Sequence, residues 1–173
     1  MSNGFENYLR PRPEIGGYDV AQICLNGHVV NNSSISHPAH NADYCPDCGK
    51  KTITECPKCT AKIRGDYRVS GLSSFGESPA PAFCYKCGAR YPWTESSLSA
   101  AREYMREVGR LDANELGIWE RSLNDLVSET PRTQVAALRF KTLTAKAGPV
   151  AMEGVKRILI EVMAETAKKA IWG

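Results

Sequence analysis

Seven cysteines and one histidine carry the chemistry that this chain could do. Three Cys-x-x-Cys pairs occur: Cys45 with Cys48, Cys56 with Cys59, and Cys84 with Cys87. A two-residue gap lets a tight turn aim two thiolates at one ion. Gly49 and Gly88 directly follow two of the pairs, where such a knuckle wants a permissive backbone. Cys24 and His28, in the run CLNGH, form a fourth pair in which imidazole replaces one thiolate. Zn²⁺ takes four nitrogen or sulfur ligands in a tetrahedron, so four pairs make two sites with no cysteine left over. Sequential pairing is the simplest arrangement. Site one is then Cys24, His28, Cys45 and Cys48, and site two is Cys56, Cys59, Cys84 and Cys87.

Other readings of these residues stay open at this point. A lone Cys-x-x-Cys is also a redox motif. Cross-brace pairing, as in RING domains, would join first to third and second to fourth. Four pairs speak for metal rather than redox work. Four ligands per site speak for structural rather than catalytic zinc, because a catalytic zinc keeps an open position. Structural zinc in a small ribbon supplies on the order of 10–16 kcal/mol of apparent binding energy, much of it felt as folding energy.

These ligands need short strands and turns to hold them. Tyr18, Val20 and Ile23 lead into Cys24 with strand character, and 28–30, 51–54 and 81–83 are further candidate strands. Two loop-like stretches, 31–43 and 70–81, fall between the ligand pairs of each site. After Trp93 the pattern becomes helical. Thr94 reads as the cap of a helix to Val108 with Leu98, Ala101, Met105 and Val108 on one face. Asp112 and Glu115 form a capping-box pattern for a second helix to Val127. Thr130 and Pro131 read as N-cap and N1 of a third, with Ala136, Phe140, Leu143 and Ala147 inward and Gly148-Pro149 as its stop. A last helix is expected from Val150 to Trp172, apolar on more than one face.

The expected fold is a small α+β protein: two tandem zinc ribbons of short β-hairpins and zinc knuckles, then an α-helical domain of about four helices. The expected divisions are 1–19 as a flexible N-terminal arm, 20–50 as ribbon one, 51–94 as ribbon two and 95–173 as the helical domain.

Composition narrows the function classes. The formal charge is +3, counting every cysteine as neutral. Seven thiolates and two Zn²⁺ together remove three charges and bring the loaded protein near zero. Nucleic-acid binders usually carry a clear basic excess. No secretory signal and no membrane-length apolar run stand in the sequence, so a cytoplasmic protein with reduced thiols is expected. No P-loop, dinucleotide or nucleophile-elbow motif is present, and no enzyme is expected.

Several other residues attract attention. His37 and His40 have metal-ligand character but no site lacks a ligand, so they read as exposed loop histidines. Tyr67, Tyr85, Tyr91 and Trp93 could stack on bases, or cover the zinc sites and dock them on the next element. Lys50, Lys51, Lys58, Lys62, Arg64 and Arg68 could meet phosphates or balance the thiolate centres. Arg132, Arg139, Lys141 and Lys146 read as a solvated face of the third helix.

The runs YDVAQICLNGH, YCPDCGKKTITECPKCTAKIRGDY, PAFCYKCGARYPWT and DLVSETPRTQVAALRFK resemble an uncharacterised bacterial tandem zinc-ribbon family, a domain of unknown function with a helical C-terminal region. The resemblance runs from Tyr18 to the C-terminus. It implies a metal-binding bacterial protein and no particular activity. The functional expectation is a non-enzymatic, zinc-stabilised protein-interaction adaptor. Its partner would be another protein, or a second copy joined through the C-terminal helix. A nucleic-acid-binding regulator is the first alternative and a RING-like cross-brace adaptor the second.

Overall fold

A computed structural model describes residues 16–68 and 78–173. The expected N-terminal arm before residue 16 and most of the 70–81 loop lie outside the described residues. Among the described residues five short strands, with a 3₁₀ turn at Pro38–His40 between the third and fourth, precede five α-helices. Strand β1 (Gly17–Val20) pairs antiparallel with β5 (Arg64–Arg68). Strands β2 (Gln22–Cys24), β3 (Val29–Asn31) and β4 (Thr52–Ile53) form a second antiparallel sheet in the order β3-β2-β4. The expected boundary at 50/51 therefore runs through both sheets, since β4 and β5 follow it in sequence and pair with β2 and β1. Gly17, Tyr18 and Asp19 belong to a strand rather than to a free arm, with Asp19 only 3% exposed. The candidate strand at 81–83 reduces to a single bridge between Phe83 and Arg90.

Helix α1 (Pro92–Val108) starts at a proline in its first turn, with Tyr91 as N-cap. Thr94, the expected cap, lies inside the first turn. Its hydroxyl instead donates to the carbonyl of Ala82 at 2.9 Å. Proline suits N1 because its missing N–H would be unpaired there anyway. Helix α2 (Ala113–Leu126) carries the capping box: Asp112 accepts from the Glu115 backbone, and Glu115 accepts from the Asp112 backbone. Helix α3 (Thr133–Ala147) begins three residues after Thr130. Thr130 and Pro131 form a turn before it, in which the Thr133 hydroxyl accepts from the Thr130 backbone and donates to Ser128. Gly148 at φ +109 ends α3, and Pro149 opens α4 (Pro149–Leu159).

The expected final helix is two helices. The chain leaves α4 after Leu159, turns, and re-enters α5 (Glu165–Trp172). Two tertiary bonds hold the break: Ala164 N–H donates to the Leu126 carbonyl at 2.9 Å, and Thr166 N–H donates to Glu129. The turn buries Val162, Met163 and Ala164. That explains the apolar residues on several faces of the uninterrupted reading: they belong to two segments with different orientations.

One hydrophobic core runs through the molecule. It joins Ala21, Ile23 and Ile63 of the strands to Trp93, Leu98 and Met105, and continues to Trp119, Phe140, Val155 and Ile171. Trp119 stacks on Phe140 with ring centroids 5.3 Å apart, and its indole N–H donates to the buried Thr144 hydroxyl at 2.8 Å. Among the described residues no helix is long and apolar enough to cross a membrane.

Candidate metal centres

The knuckles that position the ligands are three copies of one backbone device. The N–H of the first cysteine (45, 56, 84) donates to the carbonyl five residues on, at Lys50, Ala61 and Ala89, each at 2.8 Å. The carbonyl of that cysteine accepts from Gly49, Thr60 and Gly88, each at 2.9 Å. A bridge closes each unit: Tyr44 with Lys51, Glu55 with Lys62, Phe83 with Arg90. The fourth residue after the first cysteine takes a left-handed conformation, at φ +68 for Gly49 and +70 for Gly88. The third copy places Thr60 there at φ +57, the one non-glycine with positive φ among the described residues. Cys24 and His28 use a different turn. Cys24 N–H donates to the His28 carbonyl, Gly27 N–H donates back to the Cys24 carbonyl, and Gly27 sits at φ +94.

These turns gather the eight candidate ligands into two sets. The ligand atoms of Cys24, His28, Cys45 and Cys48 all lie within 4.8 Å of one another, and so do those of Cys56, Cys59, Cys84 and Cys87. The grouping is sequential. A cross-brace would bring Cys24 and His28 to Cys56 and Cys59, and the structure does not do so. In site one the Cys24 and Cys48 sulfurs are 3.7 Å apart, and Cys45 Sγ is 3.5 Å from His28 Nδ1. In site two Cys56 to Cys87 is 3.8 Å and Cys59 to Cys84 is 3.6 Å. A disulfide would need about 2.05 Å, so the sulfurs face one another unbonded around a common centre. Each set can hold a metal ion. The first ligand of every pair is buried and the second lies nearer the surface.

Electrostatics show what such a cluster asks for. Burial pushes the Cys24 thiol up, while the Lys50 N–H pulls Cys48 down. In site two Cys59 reaches about 12: the Ala61 N–H favours its thiolate, but burial and the sulfurs of Cys87, Cys84 and Cys56 outweigh it. Cys84 falls to about 6. Burial opposes ionisation there, yet the N–H groups of Cys87 and Lys86 and the sulfurs of Cys59 and Cys56 prevail. One sulfur ionises readily and another holds its proton tightly, because adjacent thiolates repel. A divalent cation removes that conflict.

The two sites are fixed to the bundle by aromatic side chains. Tyr91 and Trp93 are each 1% exposed and stack with centroids 4.5 Å apart. The Trp93 indole donates to the Pro81 carbonyl at 2.9 Å. Burial, with the charge of Cys84 next, drives the Tyr91 phenol far above its ordinary range, so it stays protonated. Tyr67 and Tyr85, named with them from sequence, are instead exposed at 51% and 54%. His37 and His40 are exposed, with ring centroids 6.4 Å apart, and join neither ligand set.

Sequence reasoning missed Asp19. Its carboxylate accepts from the backbones of Val20, Ile35 and Ser36 and from the Ser36 hydroxyl, which organises the loop between β3 and the second ligand pair. Burial raises its pKa, but the Ser36 hydroxyl and the three N–H groups prevail and hold it below the ordinary carboxylate value. Asn31 and Asn41 bond each other across the same loop. An aspartate in a strand next to a loop rich in Asn and Ser was the available signal.

No curated protein and no solved structure matches the chain. A family model does, over residues 17–171, described as an uncharacterised protein conserved in bacteria (DUF2321). Both ligand sets and all five helices except the last residue of α5 fall inside that span, and the chain belongs to this family.

Proposed function

We propose that the chain is a non-enzymatic binding protein of the bacterial cytoplasm whose fold is stapled by two structural zinc ions. The observation that carries this reading is the spacing of the donors. Tetrahedral zinc with Zn–S of about 2.3 Å requires sulfurs about 3.8 Å apart, and an imidazole at about 2.0–2.1 Å places its nitrogen about 3.5 Å from each sulfur. The sulfur separations of 3.6–3.8 Å and the sulfur–nitrogen separation of 3.5 Å fit those edges. Thiolate-rich tetrahedra suit zinc over magnesium or calcium, which prefer oxygen. Four protein donors close each coordination shell and leave no place for substrate. Free thiolates awaiting zinc also suit a reducing compartment.

Metal analysis and cobalt substitution test this. About two zinc per chain are expected, and Co²⁺ should give a closed, tetrahedral thiolate spectrum that added anions do not change. A stoichiometry near one would break the two-zinc reading, and a cobalt spectrum that shifts on adding cyanide or azide would replace the structural reading with an open site.

The partner is a protein in the leading reading. α5 supports self-association less than its sequence suggested, because Ala167 and Ile171 face into the bundle. Light scattering of the loaded protein tests it, and a concentration-independent monomer removes it. A nucleic-acid partner is the second reading. A specific observation favours it: Tyr18, Tyr67 and Tyr85 are exposed beside Arg64 rather than packed into the core.

A further inference from the structure

The β1–β5 pair is built so that one face collects aromatic and cationic side chains. Tyr18 pairs with Tyr67 and Val20 with Arg64. Between these pairs Gly65 and Asp66 oppose Asp19 alone, a bulge that turns Arg64 and Tyr67 to the same side. The bulge needs a glycine, because a Cβ on Gly65 would stand 2.0 Å from the Asn32 carbonyl oxygen. Asp19 points the other way, into its cradle of N–H groups. On the outer side Tyr67 meets Tyr18 edge to face, with centroids 5.0 Å apart. The Arg64 guanidinium lies between two rings, 4.7 Å from the centroid of Tyr18 and 3.8 Å from that of Tyr85 on the last knuckle of site two. All three tyrosines are more than half exposed.

Exposed tyrosines scattered singly need no explanation. Here three stand in one row, spaced and held by an arginine, on a strand pair fixed by a buried aspartate and on a metal knuckle. We infer that this row, Tyr67, Tyr18, Arg64 and Tyr85, is a stacking platform for single-stranded nucleic acid. The inference rests on the nucleic-acid reading above and gives it a place and a substrate class. Bases stack on rigid aromatic faces whatever their sequence, whereas duplex bases are already stacked and present phosphates. A few cations in and beside the row, Arg64 among them, can meet a strand's phosphates. Lys58 and Lys86 stand on the two knuckles of site two, while Arg68 is paired to Asp19 on the other side, Glu55 is paired to Lys62, and Asp66 accepts from the Ser33 hydroxyl. The net excess is small once the negative zinc–thiolate centre is counted. Stacking rather than counterion release therefore supplies the affinity, which reconciles a nucleic-acid partner with a nearly neutral protein.

The test uses the full, zinc-loaded chain and labelled single strands of about 12 nucleotides, oligo-dT and oligo-U, with a duplex of the same length and a proline-rich peptide as further arms. Anisotropy at low salt should show binding of at least one single strand over the duplex, and the better strand tells DNA from RNA. Tyr18→Ala, Tyr67→Ala and Tyr85→Ala should each weaken it about 5- to 150-fold, the range of one lost stack. Tyr85→Phe should stay within about twofold, since the ring remains. Log affinity should fall with log salt with a slope no steeper than about −2, as for about three phosphate contacts on a single strand. Metal content is measured for each variant, and Tyr67 stands on β5 rather than on a knuckle, so its variant separates stacking from loss of the knuckle. Binding of strand and duplex alike, or binding untouched by the alanine variants, would overturn the platform while leaving a nucleic-acid partner. No binding of any oligonucleotide would overturn both. Tyrosine-dependent binding of the peptide without binding of either strand would assign the face to a protein.

Discussion

Trp93 lies against the backbone of Gly27, so closely that a Cβ on Gly27 would stand 3.0 Å from the Cβ of Trp93 and 3.2 Å from its Cγ. The turn between Cys24 and His28 is thereby seated on the first turn of α1, which itself follows the last ligand pair of site two. Gly27→Ala would meet this contact and would also carry a side chain at φ +94. The expected cost is about 1–3 kcal/mol, as for strained backbone positions. His28 should release metal sooner than in the parent. Denaturation curves, with a chromogenic chelator reporting metal loss, check both.

Site two belongs to the common core, because Cys56 and Cys84 pack with Ile63, Trp93 and Leu98. Cys84→Ser should drop the metal content to about one per chain. It should also destabilise the helices, which contain no ligand. Circular dichroism and metal analysis on the same sample decide this. A variant with one zinc and an unchanged helical melting transition would show that the bundle stands without the site.

Protons compete with metal at both sites. Cys59, held up to about 12 in the free cluster, must surrender its proton when the ion binds. Metal affinity at site two should therefore rise with pH, and the ion should leave as pH falls. Calorimetry in buffers of different ionisation enthalpy reads the protons released.

Asp19 gives a separate acid signature. Its folded pKa is lowered, so the stability it confers is present above the unfolded value of about 3.9 and is lost as pH falls through the folded one. Asp19→Asn should cost about 1.5–3 kcal/mol at neutral pH, the range for hydrogen bonds to a charged group. The gap between variant and parent should hold down to about pH 5 and shrink below about pH 4. Paired denaturation curves across that range measure it.

Thr60 occupies the position that Gly49 and Gly88 fill in the other knuckles. A β-branched residue at φ +57 is strained by about 1–2 kcal/mol. The entropy of glycine, about 0.5–1 kcal/mol, and the lost exposed bond from the Thr60 hydroxyl to the Cys59 carbonyl offset most of that relief, so Thr60→Gly should stabilise by at most about 1 kcal/mol. A raised denaturation midpoint with unchanged metal content is the expected reading.

The parts of this fold that were readable in sequence are those set by local chemistry. Ligand spacing, the Asp112 and Glu115 capping box and the Gly148-Pro149 stop each depend on a few adjacent residues. The parts that were not readable depend on distant ones. The break between α4 and α5 rests on Ala164 reaching the carbonyl of Leu126, and no residue from 160 to 164 is a strong helix breaker. Strand β5 contains Gly65 and Asp66, poor strand formers, and exists because β1 lies beside it. The start of α1 was misplaced because two signals compete there: Thr94 is a good cap, but Pro92 fits N1 and the tertiary bond to Ala82 takes the threonine hydroxyl. The four aromatics divided in the structure, two inward and two outward, because residues 91 and 93 sit where the helices close over site two.

The pairing of β1 with β5 spans all of site one and the first ligand pair of site two in sequence, which gives it a kinetic meaning. In an unfolded chain Gly17 and Arg68 are the ends of one long loop, and closing that loop costs entropy that grows with its length. An ion at site one ties Cys24 to Cys48 and removes nearly half of that length beforehand. The outer strand pair, and the tyrosine row that it carries, should therefore form late and faster in loaded chains than in empty ones, so that metal supply sets the time at which a newly made molecule acquires its surface.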